Sequence, residues 1–452
     1  MKNEELRIWN LKFANCHKMH YYSTNKKVSP TTLQEAVVRG LAPDRGLYMP
    51  EKIEQLPRSF FNKIGGLELT EVAKAAAGLF FGEDIPKQTL DTIVEETLNF
   101  EIPLVKIEEG IHVLELFHGP TFAFKDVGAR FMARVLSYFV KERQQEDVKV
   151  LVATSGDTGS AVANGFLGVK GIQVFVLYPS GKVSDMQEAQ FTTLGENIVA
   201  LEVDGTFDDC QALVKSAFMD EELNSRLNLT SANSINVARF LPQSFYYFWA
   251  YAQLVKISLD KNVVIAVPSG NLGNLTAGLF AKEAGLPISR FIAANNRNDV
   301  FFRYLQSGEY HPGASIQTVA NAMDVGAPSN FDRILDLYSS SHQAIRNEID
   351  GFTYSDETIK TAIRETYQQT GYLLDPHGAC AYLALKEAKA PNETGVFLAT
   401  AHPAKFKETV EACIGSPIDI PKGLKAFMQR EKQSIPLTND FNSLKKVLIT
   451  HS

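Results

Sequence analysis

The chain of 452 residues carries a formal net charge of -7 with ordinary apolar (45%) and charged (21%) fractions, and that length predicts two or three domains with a large buried core. An acidic balance without a long basic run excludes a dedicated nucleic-acid binder, so the expected partners are small molecules. Four dispersed cysteines, Cys16, Cys210, Cys380 and Cys413, exclude a disulfide framework or zinc ribbon, and apolar runs of strand length exclude a membrane span, which together point to the cytoplasm.

Residues 1–18 lack both the apolar core of a signal peptide and the Arg/Ser-rich make-up of a transit peptide, and read as an extension of no assigned role. Residues 19–100 have helical periodicity at 33–38 and 67–80 and little strand signal, which predicts an N-terminal, mostly helical domain. A different texture follows. Residues 149–153 read as a strand leading through Thr154-Ser155-Gly156-Asp157-Thr158-Gly159-Ser160 into a small-residue helix from Ala161 and a second strand at 172–178. Residues 263–267 repeat the scheme through Pro268-Ser269-Gly270-Asn271-Leu272-Gly273-Asn274, a helical pattern at 275–284 and a run at 291–294. A last run, 396–399, ends at Thr400-Ala401-His402-Pro403.

Strand, polar loop and helix in alternation mark βαβ units on a parallel sheet, so residues 101–415 are predicted to form an α/β core. Beyond it, Pro417, Pro421 and a Lys-rich helical pattern predict a C-terminal appendage over 416–452. Open α/β sheets bind ligands outside the carboxyl ends of their strands, where these loops fall.

Lys125 stands between a Gly-Pro turn and an apparent helix, directly after Phe122, Ala123 and Phe124. Apolar walls disfavour an ammonium, and a lysine so desolvated becomes an amine nucleophile able to hold a cofactor aldehyde as a Schiff base. The same wording also suits a solvated loop lysine, the commoner fate of this residue type.

The loop around Ser155, Gly156, Asp157 and Thr158 offers hydroxyls, small residues and a helix N-terminus, a setting for a carboxylate or phosphate. It reads equally as a capped strand-to-helix turn with Asp157 or Thr158 as N-cap. In the second loop, Gly270 and Gly273 permit close backbone approach while Ser269, Asn271 and Asn274 add polar contacts, which makes a phosphate cradle the natural reading. Neither loop has the Walker A or dinucleotide glycine pattern. Thr400 could present a hydroxyl to a heterocyclic nitrogen or merely end a strand. Asp375-Pro376-His377-Gly378 is a turn-like cluster of unassigned role, and the histidines lack metal-ligand spacing.

The segment His118-Gly119-Pro120-Thr121-Phe122-Ala123-Phe124-Lys125-Asp126 closely resembles the Schiff-base segment of threonine synthases of the enterobacterial and fungal type. Both glycine-bearing loops and Thr400-Ala401-His402-Pro403-Ala404-Lys405-Phe406 match the same family in the same order, and the likeness runs from about residue 21 to about residue 415. It implies pyridoxal-phosphate fold type II: two open parallel-sheet α/β subdomains with the cofactor, pyridoxal 5'-phosphate, between them, and an N-terminal, mostly helical domain.

By that resemblance Lys125 carries the cofactor, the loop from Ser269 through Leu272 to Asn274 holds its phosphate, and Thr400 faces its ring nitrogen. The resemblance also implies that Asp157 binds the cofactor, at the place where related enzymes often carry Asn beside the ring hydroxyl and where this subfamily shows aspartate. Thr154, Ser155 and Thr158 are implied for the substrate carboxylate, with Lys182, Arg239 and Arg45 as candidate cations for a substrate phosphate. The implied substrate is O-phospho-L-homoserine. A phospho-lyase that releases a 2-oxo acid, or a non-catalytic relative, would share these motifs.

Overall fold

The computed structural model describes residues 18–142 and 148–451. Along the chain the strands are β1 (His20–Ser23), β2 (Thr31–Thr32), β3 (Tyr48–Pro50), β4 (Leu104–Glu108), β5 (Ile111–Glu115), β6 (Val148–Ala153) and β7 (Ile172–Pro179). They continue with β8 (Ile198–Asp204), β9 (Asn228–Ser231), β10 (Val263–Pro268), β11 (Arg290–Asn295), β12 (Ile349–Thr353), β13 (Thr394–Ala399) and β14 (Ile435–Thr438).

Two open sheets dominate. One has the order β12-β11-β10-β13-β5-β4, parallel except for the antiparallel β4–β5 pair, and the other has the wholly parallel order β14-β8-β7-β6-β9. Strands β6 and β10 are buried at every residue, as expected of parallel strands covered by helices on both faces, and that explains the apolar runs at 150–153 and 263–267. The expected pair of α/β subdomains is therefore present. The ends of β6, β10 and β13 carry the polar loops picked out in the sequence.

The first hundred residues hold the expected helices at Leu33–Arg39 and Leu69–Phe81, but also a three-stranded antiparallel sheet, β2-β1-β3. Its strands, two to four residues long, are too short for an alternating pattern to register. This region shares its apolar core with the α/β part: Phe81 packs 4.8 Å from Phe131, and Phe80 lies 6.2 Å from Phe280, centroid to centroid.

The expectation of an appendage after residue 415 needs correction. Strand β14 pairs with β8 and forms one edge of the second sheet, while Leu437, Leu444 and Leu448 are buried against Cys210 and Leu213. Pro436 masked the strand in the sequence, yet an edge strand tolerates a residue without an N–H. The extension at 1–18 falls almost wholly outside the described residues. Among the described residues no helix is long and apolar enough to cross a membrane.

Candidate active site

Lys125 opens the helix Lys125–Glu142 at the floor of a cleft between the two subdomains. The turn before it is closed by Asp126, whose carboxylate accepts from the Thr121 backbone N–H at 2.9 Å and from the Thr121 hydroxyl at 2.6 Å. Phe122 adopts φ 57°, a left-handed conformation that costs a bulky residue roughly 1–2 kcal/mol, and the surroundings hold it there. The Phe124 N–H donates to the Thr400 carbonyl at 2.9 Å and the His402 N–H to the Phe122 carbonyl at 3.0 Å. The lysine and Thr400 are thus stitched together by backbone.

Burial lowers the Lys125 pKa from its ordinary 10.5 to about 8; the Asp157 carboxylate opposes this, while the cations of Lys405 and Arg239 reinforce it. The result is an amine of which about a tenth is uncharged at pH 7, several hundred-fold more than for an ordinary lysine, in the direction the apolar wording of the segment predicts.

The first loop ends in the helix Asp157–Phe166, with Gly156 at φ 140°. A Cβ on Gly156 would lie 2.5 Å from the Gln187 side chain, so glycine is required there. The Thr154 hydroxyl accepts from the N–H groups of Gly156 and Gly159 at 2.9 and 2.8 Å and donates to the Gly156 carbonyl at 3.0 Å. Thr154 lines the cleft, and its hydroxyl is saturated within the loop, which makes it an organiser of the turn. Ser155 and Thr158 line the cleft at the helix N-terminus.

Asp157 is buried and paired with Lys405 at 2.6 Å, and it accepts from Gln187 Nε2 at 2.8 Å. Burial alone would push its carboxyl pKa up, but Lys405 and then Lys125 outweigh burial and hold it well below the usual carboxylate range. The Lys405 ammonium also donates to the Thr121 carbonyl at 2.9 Å. Lys405 lies within a family-like segment, but nothing in spacing or composition marks it as buried.

The second loop turns through Leu272, at φ 60°, into the helix Gly273–Glu283. The first N–H groups of that helix have no intrahelical acceptor, and the cleft is where they open. A Cβ on Gly270 would lie 2.7 Å from Met323 Cα, so no side chain fits. Asn274 Oδ1 accepts from Tyr247 at 2.8 Å, whereas the buried Asn274 Nδ2 has no partner in the protein. Ser269 itself does not line the cleft, because its hydroxyl turns back to the Val267 carbonyl at 2.8 Å.

Opposite stand Thr400, His377 and Arg239, all lining the same cleft. His377 Nε2 accepts from the Ala322 N–H at 3.1 Å, so its ring proton sits on Nδ1, 2.7 Å from Asp375 Oδ1. Arg239 is 3% exposed; burial lowers its pKa to about 10, and its Nε is a buried donor without an acceptor. Of the three candidate cations only Arg239 reaches the cleft. Lys182 and Arg45 are exposed and outside its lining.

The comparisons with known proteins agree with this geometry. Residues 97–400 match the family model of pyridoxal-phosphate dependent enzymes, residues 20–98 that of the threonine synthase N terminus, and residues 377–448 that of the threonine synthase C-terminal part. The chain is 46% identical to the threonine synthase of Haemophilus influenzae, over 95% of this chain and 100% of that relative. The crystal structure of threonine synthase from Escherichia coli matches with a TM-score of 0.90 at 42% identity, covering 96% of this chain and 100% of that one. A pyridoxal-phosphate-bound threonine synthase from Brucella melitensis matches with a TM-score of 0.90 at 36% identity over the same shares.

Fold and site together define a pyridoxal-phosphate-dependent enzyme of fold type II. The chain belongs to the threonine synthase family. Its residues fit the cofactor: the cleft brings together an amine of lowered pKa for the aldehyde, and a glycine-walled helix N-terminus with an orphaned Asn274 amide for the phosphate. The neutral Thr400 lines the same cleft.

Proposed function

We propose that the chain converts O-phospho-L-homoserine and water into L-threonine and phosphate in the cytoplasm, with Lys125 as the proton-transferring amine. When bound, the cofactor supplies an aldehyde for the substrate amine and a ring that takes up electron density from Cα. Lys125 removes the Cα proton and returns protons along the chain, for which an amine of pKa about 8 is well matched. Lys125 then takes a proton from Cβ, whose bonding pair forms Cβ=Cγ as the Cγ–O bond breaks with its electron pair on the departing phosphate; the two protons removed return at Cγ and Cα, and water adds its hydroxyl at Cβ and gives its proton to the phosphate.

Ser155, Thr158 and the N-terminal N–H groups of the helix Asp157–Phe166 receive the substrate α-carboxylate. Arg239 receives the substrate phosphate. The observation that carries this reading is the buried Arg239 guanidinium, which lines the cleft with Nε unpartnered and, among the described residues, has no carboxylate within 4.0 Å. A buried cation with a spare donor is costly without an anion, and the substrate brings one.

Incubation with O-phospho-L-homoserine, with threonine and phosphate assayed together, tests the reaction. Equal yields of the two support it. Phosphate released with 2-oxobutanoate in place of threonine would overturn it, and Lys125→Ala is expected to abolish both products.

A further inference from the structure

Arg333 does not line the cleft, yet it is buried to 0% exposure and each of its three guanidinium nitrogens has an acceptor. Nη1 donates to the Ser234 carbonyl at 2.8 Å and to Asn330 Oδ1 at 2.6 Å, Nη2 to the Ile235 carbonyl at 2.6 Å, and Nε to the Tyr48 carbonyl at 3.3 Å. Its flat face lies 3.9 Å from the centroid of the Phe240 ring. Among the described residues no carboxylate comes within 4.0 Å of it to balance the charge. Burial lowers its pKa to about 9 and leaves it cationic at neutral pH. A buried charge held only by carbonyls adds little net stability, so its orientation of those carbonyls is the property to explain.

Those groups converge on the second loop. Asn330 Nδ2 donates to the Asn271 carbonyl at 3.0 Å and to Ser234 Oγ at 2.9 Å, and the same Ser234 Oγ accepts from Asn271 Nδ2 at 2.9 Å. Asn271 Oδ1 accepts from the Ser329 N–H at 2.7 Å and from its hydroxyl at 2.9 Å. Leu272, the next residue, is the one forced into the left-handed region. The backbone of the turn is thus pinned from behind by a network that ends on one guanidinium, which also reaches β3 of the N-terminal sheet through Tyr48.

We propose that Arg333 is a positioning residue for the cofactor phosphate: it fixes Ser234 and Asn330 so that Asn271 and Leu272 keep the turn open to a phosphate, and it makes that grip depend on the docked N-terminal sheet. The inference rests on the reading that the 269–274 loop holds the phosphate. A planar fork with donors on three sides is needed, which a lysine ammonium cannot supply.

The test uses the full chain after removal of its cofactor, titrated with pyridoxal 5'-phosphate and separately with pyridoxal, which lacks the phosphate. In Arg333→Lys the Kd for pyridoxal 5'-phosphate is expected to rise about tenfold or more, as for a lost charge-assisted contact, while that for pyridoxal is unchanged. Asn330→Ala, which cuts the network one bond further on, is expected to do the same and decides the matter if the first variant does not fold. An unchanged ratio of the two Kd values, whether both rise or neither does, overturns the role of Arg333. Should the unaltered protein bind the two compounds equally, the phosphate reading of the loop fails instead.

Discussion

Lys405 Nζ lies 2.6 Å from Asp157 Oδ1, with both side chains shut off from solvent, one on the turn after β13 and the other at the start of the helix after β6. Through Thr121 the same ammonium also holds the segment that carries Lys125. One buried pair therefore joins three separate stretches of chain around the reactive amine.

Breaking a buried pair from one side leaves an uncompensated charge and costs about 3–5 kcal/mol. Lys405→Met is expected to lose stability on that scale, and adding Asp157→Asn is expected to recover much of it. Urea unfolding of both single variants and the double variant checks this, and simple additivity of the two losses would speak against the pair. The Asp157 carboxyl is lowered in the folded protein, so the stability it contributes is complete above the unfolded value of about 4 and drains away as pH falls below it.

The Lys125 amine titrates near 8 in the folded protein, against 10.5 ordinarily. Its capture of an aldehyde in the cofactor-free protein is expected to rise about tenfold per pH unit below that value and to level off above it. Stopped-flow reconstitution across pH reads this directly. A midpoint close to that of a free lysine would refute the lowered pKa.

Arg239→Met removes a desolvated cation with an unpartnered Nε. Folding stability is expected to hold or to rise by about 1 kcal/mol, whereas kcat/KM for O-phospho-L-homoserine falls by about 10- to 100-fold, the worth of a charge-assisted contact. Denaturation and steady-state kinetics on the same preparation separate the two effects. A loss of stability with kinetics intact would make Arg239 a structural residue.

At Gly270 a methyl group would meet backbone, with Met323 Cα at 2.7 Å, so the loop itself must shift. Gly270→Ala is expected to weaken pyridoxal 5'-phosphate binding by about tenfold or more while the fold survives, since the strain falls on the turn and not on a core side chain. Equilibrium dialysis beside a thermal melt decides it. Unaltered affinity would mean that the turn has room to spare.

Much of this site is legible in the sequence because it is local. The loop of Ser155 to Gly159, the loop of Ser269 to Asn274 and Thr400 each follow an apolar run of strand length, and a parallel sheet sends the ends of such strands to one edge, while Lys125 is marked by its Gly-Pro turn and apolar neighbours. The short strands of the N-terminal sheet were not legible, being below the length at which alternation registers, nor was β14, hidden by Pro436. Lys182 and Arg45 looked as suitable as Arg239 for an anion, since nothing in a single cation's neighbours along the chain says whether it will be buried.

The sequence by itself determined the βαβ order, the loops that carry the chemistry and the amine among them, because backbone propensity and apolar periodicity act over a few residues. Which charges are desolvated, and with whom they pair, emerges only from the assembled fold: Lys405 pairs with Asp157, Arg333 with the carbonyls of Tyr48, Ser234 and Ile235, and Arg239 keeps an Nε without an acceptor among the described residues. Desolvation belongs to the assembled surroundings, supplied by segments hundreds of residues apart, and it exists only once the two sheets have closed on each other.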